Sequence, residues 1–233
     1  RYEGAYLLAK KLMSGSLTEK EKKDVSHLYA MNGYMYATSF MHGDNRQLVK
    51  ARTILEEIMP YADDRVREYA LPKIPLSWYL EGAEYHLSQQ YDKALACYQN
   101  ALKGFIELRK TDDEISVLRH IAEIKGTLYD VIGSENAYKQ ALYLSRQTGK
   151  SDTQMEILKE LWKIGKTIGD VQQAQAYAAS IDSLVDATSD LQTKYTYYNQ
   201  KGNEARDLGQ YGIAEQWYLR GKDIAECADT KPV

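Results

Sequence analysis

Cysteine, proline and long hydrophobic runs are all scarce in this sequence of 233 residues. Its two cysteines, Cys97 and Cys227, are too few and too far apart for a disulfide framework or a metal knuckle, so both are expected as small buried apolar side chains. A chain of this length needs no covalent staple, and the redox compartment stays open. Three of the 4 prolines fall between Pro60 and Pro75, which leaves the long stretches on either side without the residue that most strongly breaks helices. No run of about 18 apolar residues occurs, so no helical membrane span is expected within these residues. An excess of charge of one sign is lacking as well. The 30 basic and 33 acidic residues are mixed along the chain for a net charge of -3, which points toward neither nucleic acid nor an anionic membrane.

Phenylalanine and tryptophan are few, 2 and 3, whereas tyrosine occurs 20 times. The apolar faces must therefore be built largely from rings with a hydroxyl at one end. Such rings suit a thin stack whose core is never far from water, because the hydroxyl can reach solvent or a backbone acceptor while the ring is buried. Hydrophobic residues at 44% and charged residues at 27% exclude disorder and a fibrous class.

Helical periodicity dominates. Tyr6, Leu7, Ala9, Lys10 and Met13 form a short amphipathic segment ending at Ser14-Gly15. Thr18 and Glu21 have capping-box spacing for a helix running to about Phe40, with Lys20, Lys22 and Lys23 on its solvated start. His42 to Asn45 reads as a turn, and Leu48, Ala51, Ile54, Leu55 and Ile58 recur at three and four. Asp63 to Tyr69 reads as a short helix. Leu71 to Pro75 should interrupt it, since the residue before each proline is pushed out of the helical region. The chain is expected to be one domain over 1–233, with 60–75 as its one place for a kink or sub-boundary.

From Pro75 onward a pattern repeats. Trp78, Gly82, Tyr85, Tyr91, Ala94, Tyr98 and Ala101 are echoed by Tyr198, Gly202, Ala205, Leu208, Gly209, Tyr211, Ala214, Tyr218 and Gly221. Gly82 to Tyr98 and Gly202 to Tyr218 are the same number of steps. Weaker copies hold Gly126, Tyr129, Gly133, Ala137 and Ala141, then Leu158, Leu161, Gly169, Ala174 and Tyr177 with Trp162 in the small residue's place, and, earlier, Tyr29, Gly33 and Tyr36. This pattern resembles the tetratricopeptide repeat family, in a divergent Tyr-rich form similar to that of bacterial sensor and regulatory proteins. The small residues let helix axes approach, and the aromatics fill the wedge between neighbouring pairs. The resemblance implies an all-α, right-handed superhelical solenoid of antiparallel helix pairs. Copy starts read near residues 26, 75, 119, 155 and 195 are unevenly spaced and imply an irregular stack.

Motifs that carry chemistry are missing. His27, His42, His86 and His120 sit in separate elements without metal-ligand spacing, and no His-Glu-x-x-His, phosphate loop, dinucleotide fingerprint or Gly-x-Ser-x-Gly elbow occurs. Asp63-Asp64 and Asp112-Asp113 read as helix caps. No catalytic residue, metal or cofactor is expected.

The tetratricopeptide resemblance implies that the first helix of each pair lines a groove. Its inward positions here are Leu76, Tyr79, Ala83 and His86, then His120, Glu123, Thr127 and Asp130, then Glu156, Lys159, Lys163 and Lys166, and finally Thr196, Asn199, Asn203 and Arg206. The candidate partner-binding residues are thus Tyr79, His86, His120, Glu123, Lys159, Lys163, Lys166, Asn199, Asn203 and Arg206. Asparagine offers donor and acceptor groups to a peptide backbone, and the basic residues suit an acidic segment or a carboxylate; a solvated basic face is the plainer alternative. Tyr34, Tyr79 and Trp78 are expected to pack between helices.

The function expected is a protein- or peptide-binding module, and the resemblance implies the ligand-sensing region of a larger bacterial regulator. A self-assembling scaffold without a groove ligand is the alternative. An enzyme assembled from distant residues has no sequence support. Opening at Arg1 without methionine fits a processed chain or a piece of a longer one, either in the periplasm as part of a membrane-anchored sensor or in the cytoplasm.

Overall fold

The computed structural model describes residues 2–43 and 46–229, with side chains described as far as Glu226. The Cys227 side chain and the Asp44-Asn45 half of the expected turn therefore lie outside what is described. Among the described residues the fold is all-α, with antiparallel helix pairs and no strand. No described helix is long and apolar enough to cross a membrane. The chain divides into two compact units, 1–148 and 149–233.

In the first unit α1 (Tyr2–Met13) packs on α2 (Glu19–Ser39), and α2 packs on α3 (Leu48–Ile58). Thr18 and Glu21 close the expected capping box, in which the Thr18 backbone N–H donates to Glu21 Oε2 at 2.9 Å. The tyrosines meet here as a group. Tyr6 stacks on Tyr29 at 5.4 Å between ring centroids, and both hydroxyls donate to the Glu57 carboxylate, which Lys10 also reaches at 2.6 Å. Several other buried or half-buried tyrosines also find carboxylates, where solvent or a backbone acceptor was expected: Tyr36 donates to Glu3, Tyr197 to Asp182 and Tyr198 to Asp186. Ring burial and acceptor strength are thereby satisfied together.

A 3-10 turn at Met59–Tyr61 leads to α4 (Asp64–Ala70), and Asp63 caps it by accepting from the Val66 N–H at 2.9 Å. The interruption expected across Leu71 to Pro75 is shorter than the prolines suggest. Pro72 is the N-cap of α5 (Lys73–Leu87), and Pro75 sits in its first turn, where a missing N–H breaks no intrahelical bond. Arg52 of α3 is buried here, its guanidinium 3.3 Å from the Trp78 ring centroid and 2.9 Å from Glu81. Trp78 is thus a packing residue, as is Tyr34, which lies against the core and Tyr69. The unit ends with α6 (Tyr91–Glu107), α7 (Thr111–Thr127) and α8 (Val131–Gln147).

The second unit pairs α9 (Ser151–Ile168) with α10 (Val171–Ala187) and α11 (Leu191–Asp207) with α12 (Tyr211–Asp229). The repeat is more regular than the uneven copy starts imply. The first helices α5, α7, α9 and α11 begin at residues 73, 111, 151 and 191. Left-handed turn residues recur at Gln89, Arg109, Tyr129, Gly149, Gly169 and Gly209, with the α10–α11 connection as the one omission. Only three of these six are glycine, so the period is masked in the sequence. On this period Ala122 and Tyr138, both buried, stand where Gly82 and Tyr98 do, one helical turn before the Gly126 that the sequence pattern selects.

Candidate functional site

Two groups of the sequence-selected residues can be followed, one in each unit. In the first unit Tyr79 comes from the middle of α5, His86 from its last turn, and His120 and Glu123 from successive turns of α7. The structure brings all four together. The Tyr79 hydroxyl lies 3.0 Å from His120 Nε2, and the His86 and His120 rings are 6.0 Å apart and nearly perpendicular. Glu123 Oε2 is 3.6 Å from His120 Nδ1. One ligating atom from each of His86, His120 and Glu123 lies within 4.8 Å of the others. Sequence spacing does not reveal this because the two histidines lie on different helices, separated by the whole of α6.

A fifth member was not among the residues expected at the site. Tyr98 of α6 lies fully buried and stacks on His120, with ring centroids 5.4 Å apart and planes 8° from parallel. The signal for it was present in the sequence: Tyr98 is the repeat's partner to Gly82, so it must lie beneath the α5 face that also carries Tyr79 and His86. Burial pushes the His120 pKa down, outweighing the upward pull of Glu123, so the imidazole is neutral at neutral pH. Burial likewise raises the Tyr79 and Tyr98 phenols. His120 Nδ1 and the Tyr98 hydroxyl are both buried without a hydrogen-bond partner. Such atoms are uncommon in folded proteins and call for a physical reason.

Two other positions assigned to the groove have local work. Asp130 is the N-cap of α8, accepting from the Gly133 N–H at 2.9 Å and lying 3.3 Å from Lys125 Nζ. Thr127 bonds back to the Glu123 carbonyl.

In the second unit α9 buries Ile157, Leu158, Leu161 and Gly165 and exposes Lys159, Lys163 and Lys166. Lys163 pairs with Glu160 at 2.7 Å, and Lys166 lies over the Trp162 ring at 4.6 Å. From α11, Asn203 and Arg206 are exposed and Asn199 is half-buried. Asn203 Oδ1 accepts from the Tyr218 hydroxyl at 2.7 Å. Arg206 meets Asp207 at 3.0 Å and borders an open recess shared with Tyr211, Ala214, Tyr218 and Leu219. The same helix face is therefore basic and polar, but several of its groups already hold weak partners.

No family model and no curated protein sequence matches the chain. Solved structures do. BtubC (BKLC) from P. vanneervenii is 17% identical, with 100% of this chain and 91% of that one covered at a TM-score of 0.50. Aspartyl phosphate phosphatase F from Bacillus subtilis is 10% identical at a TM-score of 0.50, with 94% of this chain and 64% of that one covered. The shared property is the helical fold. At such identities nothing about ligand or activity travels with it.

Proposed function

We propose that the chain is a protein- or peptide-binding module, and that the exposed face of α9 and α11 takes an acidic peptide segment or a carboxylate. The observation that carries this reading is the row of Lys159, Lys163 and Lys166 on the solvent side of α9, with Arg206 of α11 beside an apolar recess lined by α12. Neighbouring lysines repel one another, so stability alone gives little reason to gather them. The Lys163–Glu160 and Arg206–Asp207 pairs are open to solvent, and an exposed ion pair contributes only about 0.2 to 1 kcal/mol, so an incoming carboxylate can displace these acids at small cost. Asn199 and Asn203 supply donors and acceptors for the peptide backbone, and Tyr211 and Leu219 supply apolar area. The module holds its partner rather than transforming it, and within a larger regulator it is the ligand-sensing part.

Calorimetry with a synthetic acidic peptide, prepared with a free and with an amidated carboxyl terminus, tests the reading. Lys163→Ala combined with Arg206→Ala should weaken binding and flatten its salt dependence. Equal affinity for the wild type and the double variant across a salt series would remove the basis for the site. The scaffold reading draws on a different observation, the exposure of Tyr211, Ile213 and Leu219 on the outermost helix α12. It would move ahead if sedimentation showed concentration-dependent assembly that polar substitutions there abolished.

A further inference from the structure

We propose that His86, His120 and Glu123 bind a divalent transition-metal ion, with zinc the best match to their chemistry. This stands apart from the acidic-peptide reading, which concerns α9 and α11.

The ligating atoms already converge, all within 4.8 Å of one another. Zinc bonds of about 2.0 to 2.2 Å in a tetrahedral site put ligand atoms roughly 3.3 Å apart. The remaining closure is a matter of side-chain rotation. Glu123, whose side chain is more than half exposed at 57%, can close its part of the gap, and His86 on the last turn of α5 can close the rest. His120 is the fixed member of the three. Tyr98 stacks on one side of its ring, and Tyr79 holds Nε2 at 3.0 Å.

The hydrogen bonding of His120 is that of a ligand. Its Nδ1 is buried without a partner and faces Glu123. A metal at Nδ1 places the ring proton on Nε2, which then donates to the Tyr79 oxygen. An oriented outer partner on the second nitrogen is the usual companion of a metal-bound imidazole. The ion also gives a partner to a buried nitrogen whose nearest acceptor, Glu123 Oε2 at 3.6 Å, lies beyond hydrogen-bond distance.

The donor set selects the kind of ion. Two imidazole nitrogens and one carboxylate suit zinc and its first-row neighbours, whereas calcium and magnesium take oxygen ligands. Three protein ligands leave one coordination position for water or for a donor from a partner.

The test uses the untagged full chain, stripped with a chelator and titrated with zinc chloride by calorimetry, with a chromophoric chelator as competitor. One ion per chain is expected at micromolar concentration or tighter. His86→Ala and Glu123→Ala should each weaken binding at least about tenfold, and Tyr79→Phe by about ten- to a hundredfold, as loss of an outer partner does. His86 and Glu123 are the decisive positions, because neither stacks face to face on the buried Tyr98 as His120 does. Thermal melts of the metal-free variants should match that of the metal-free wild type, which separates ligand loss from misfolding. Absence of saturable binding in the micromolar range would overturn the site. So would binding that survives either the His86 or the Glu123 substitution undiminished.

Discussion

Gly82 lies beneath the ring of Tyr98, so close that a Cβ built on it would stand 2.9 Å from Tyr98 Cδ1 and Cε1 and 3.2 Å from Cys97 Cβ. The pair recurs at Gly202 and Tyr218, where the built Cβ would stand 2.5 Å from Tyr218 Cε1. The two contacts should nevertheless respond differently to substitution. Tyr98 is fully buried and cannot yield, whereas Tyr218 is only half-buried and can swing outward. Gly82→Ala should cost about 1 to 3 kcal/mol through overpacking. Gly202→Ala should be milder, because the helix-propensity gain of about 1 kcal/mol from glycine to alanine offsets a relieved clash. Equilibrium denaturation of both variants measures the difference, and a Gly82 variant as stable as wild type would show the register to be wrong.

Tyr129 occupies a left-handed turn with φ of 61° and is 90% exposed. The ring contributes little burial there, and the backbone conformation disfavours any residue with a Cβ. Tyr129→Gly should raise stability by about 1 kcal/mol. The converse change at Gly169, where φ is 78°, should lower it. Denaturant midpoints that moved in the opposite directions would contradict the assigned turns.

Cys97 is buried at the α5–α6 contact, and burial, with the Glu81 charge behind it, pushes its thiol up to about 11. Thiolate is the reactive form, so Cys97 should be slow toward a thiol reagent. In a Cys227→Ser background, labelling should be slow in the folded state and rapid in denaturant. Fast labelling without denaturant would place Cys97 at the surface.

Tyr29, Tyr98 and Tyr197 all have phenol pKa values raised above the ordinary 10.0, with burial as the largest cause in each. The unfolded chain gives up these protons first, so their contribution to stability is full below about pH 10 and is lost as the pH rises beyond it. Tyrosinate absorbance should show a cooperative step on which the buried three ionise as the fold opens. A single smooth titration of every tyrosine would mean that the rings are not buried.

Local chemistry was legible in the sequence because it depends on near neighbours. Thr18 and Glu21 are three residues apart, Asp63 caps its own helix, and the α3 stripe from Leu48 to Ile58 recurs at three and four, so each could be read from spacing alone. The pairing of Gly82 with Tyr98 and of Gly202 with Tyr218 was legible too, since one short turn separates the two helices of a pair. The even period was hidden, because Gln89, Arg109 and Tyr129 adopt a left-handed conformation that sequence patterns assign to glycine. What only tertiary structure decided is the meeting of Tyr79, His86, Tyr98, His120 and Glu123. That meeting depends on how α7 packs against α6, a contact between successive pairs set by the fit of many side chains at once. No spacing along the chain encodes it, and the orphaned nitrogen of His120 exists only once the helices have closed over it.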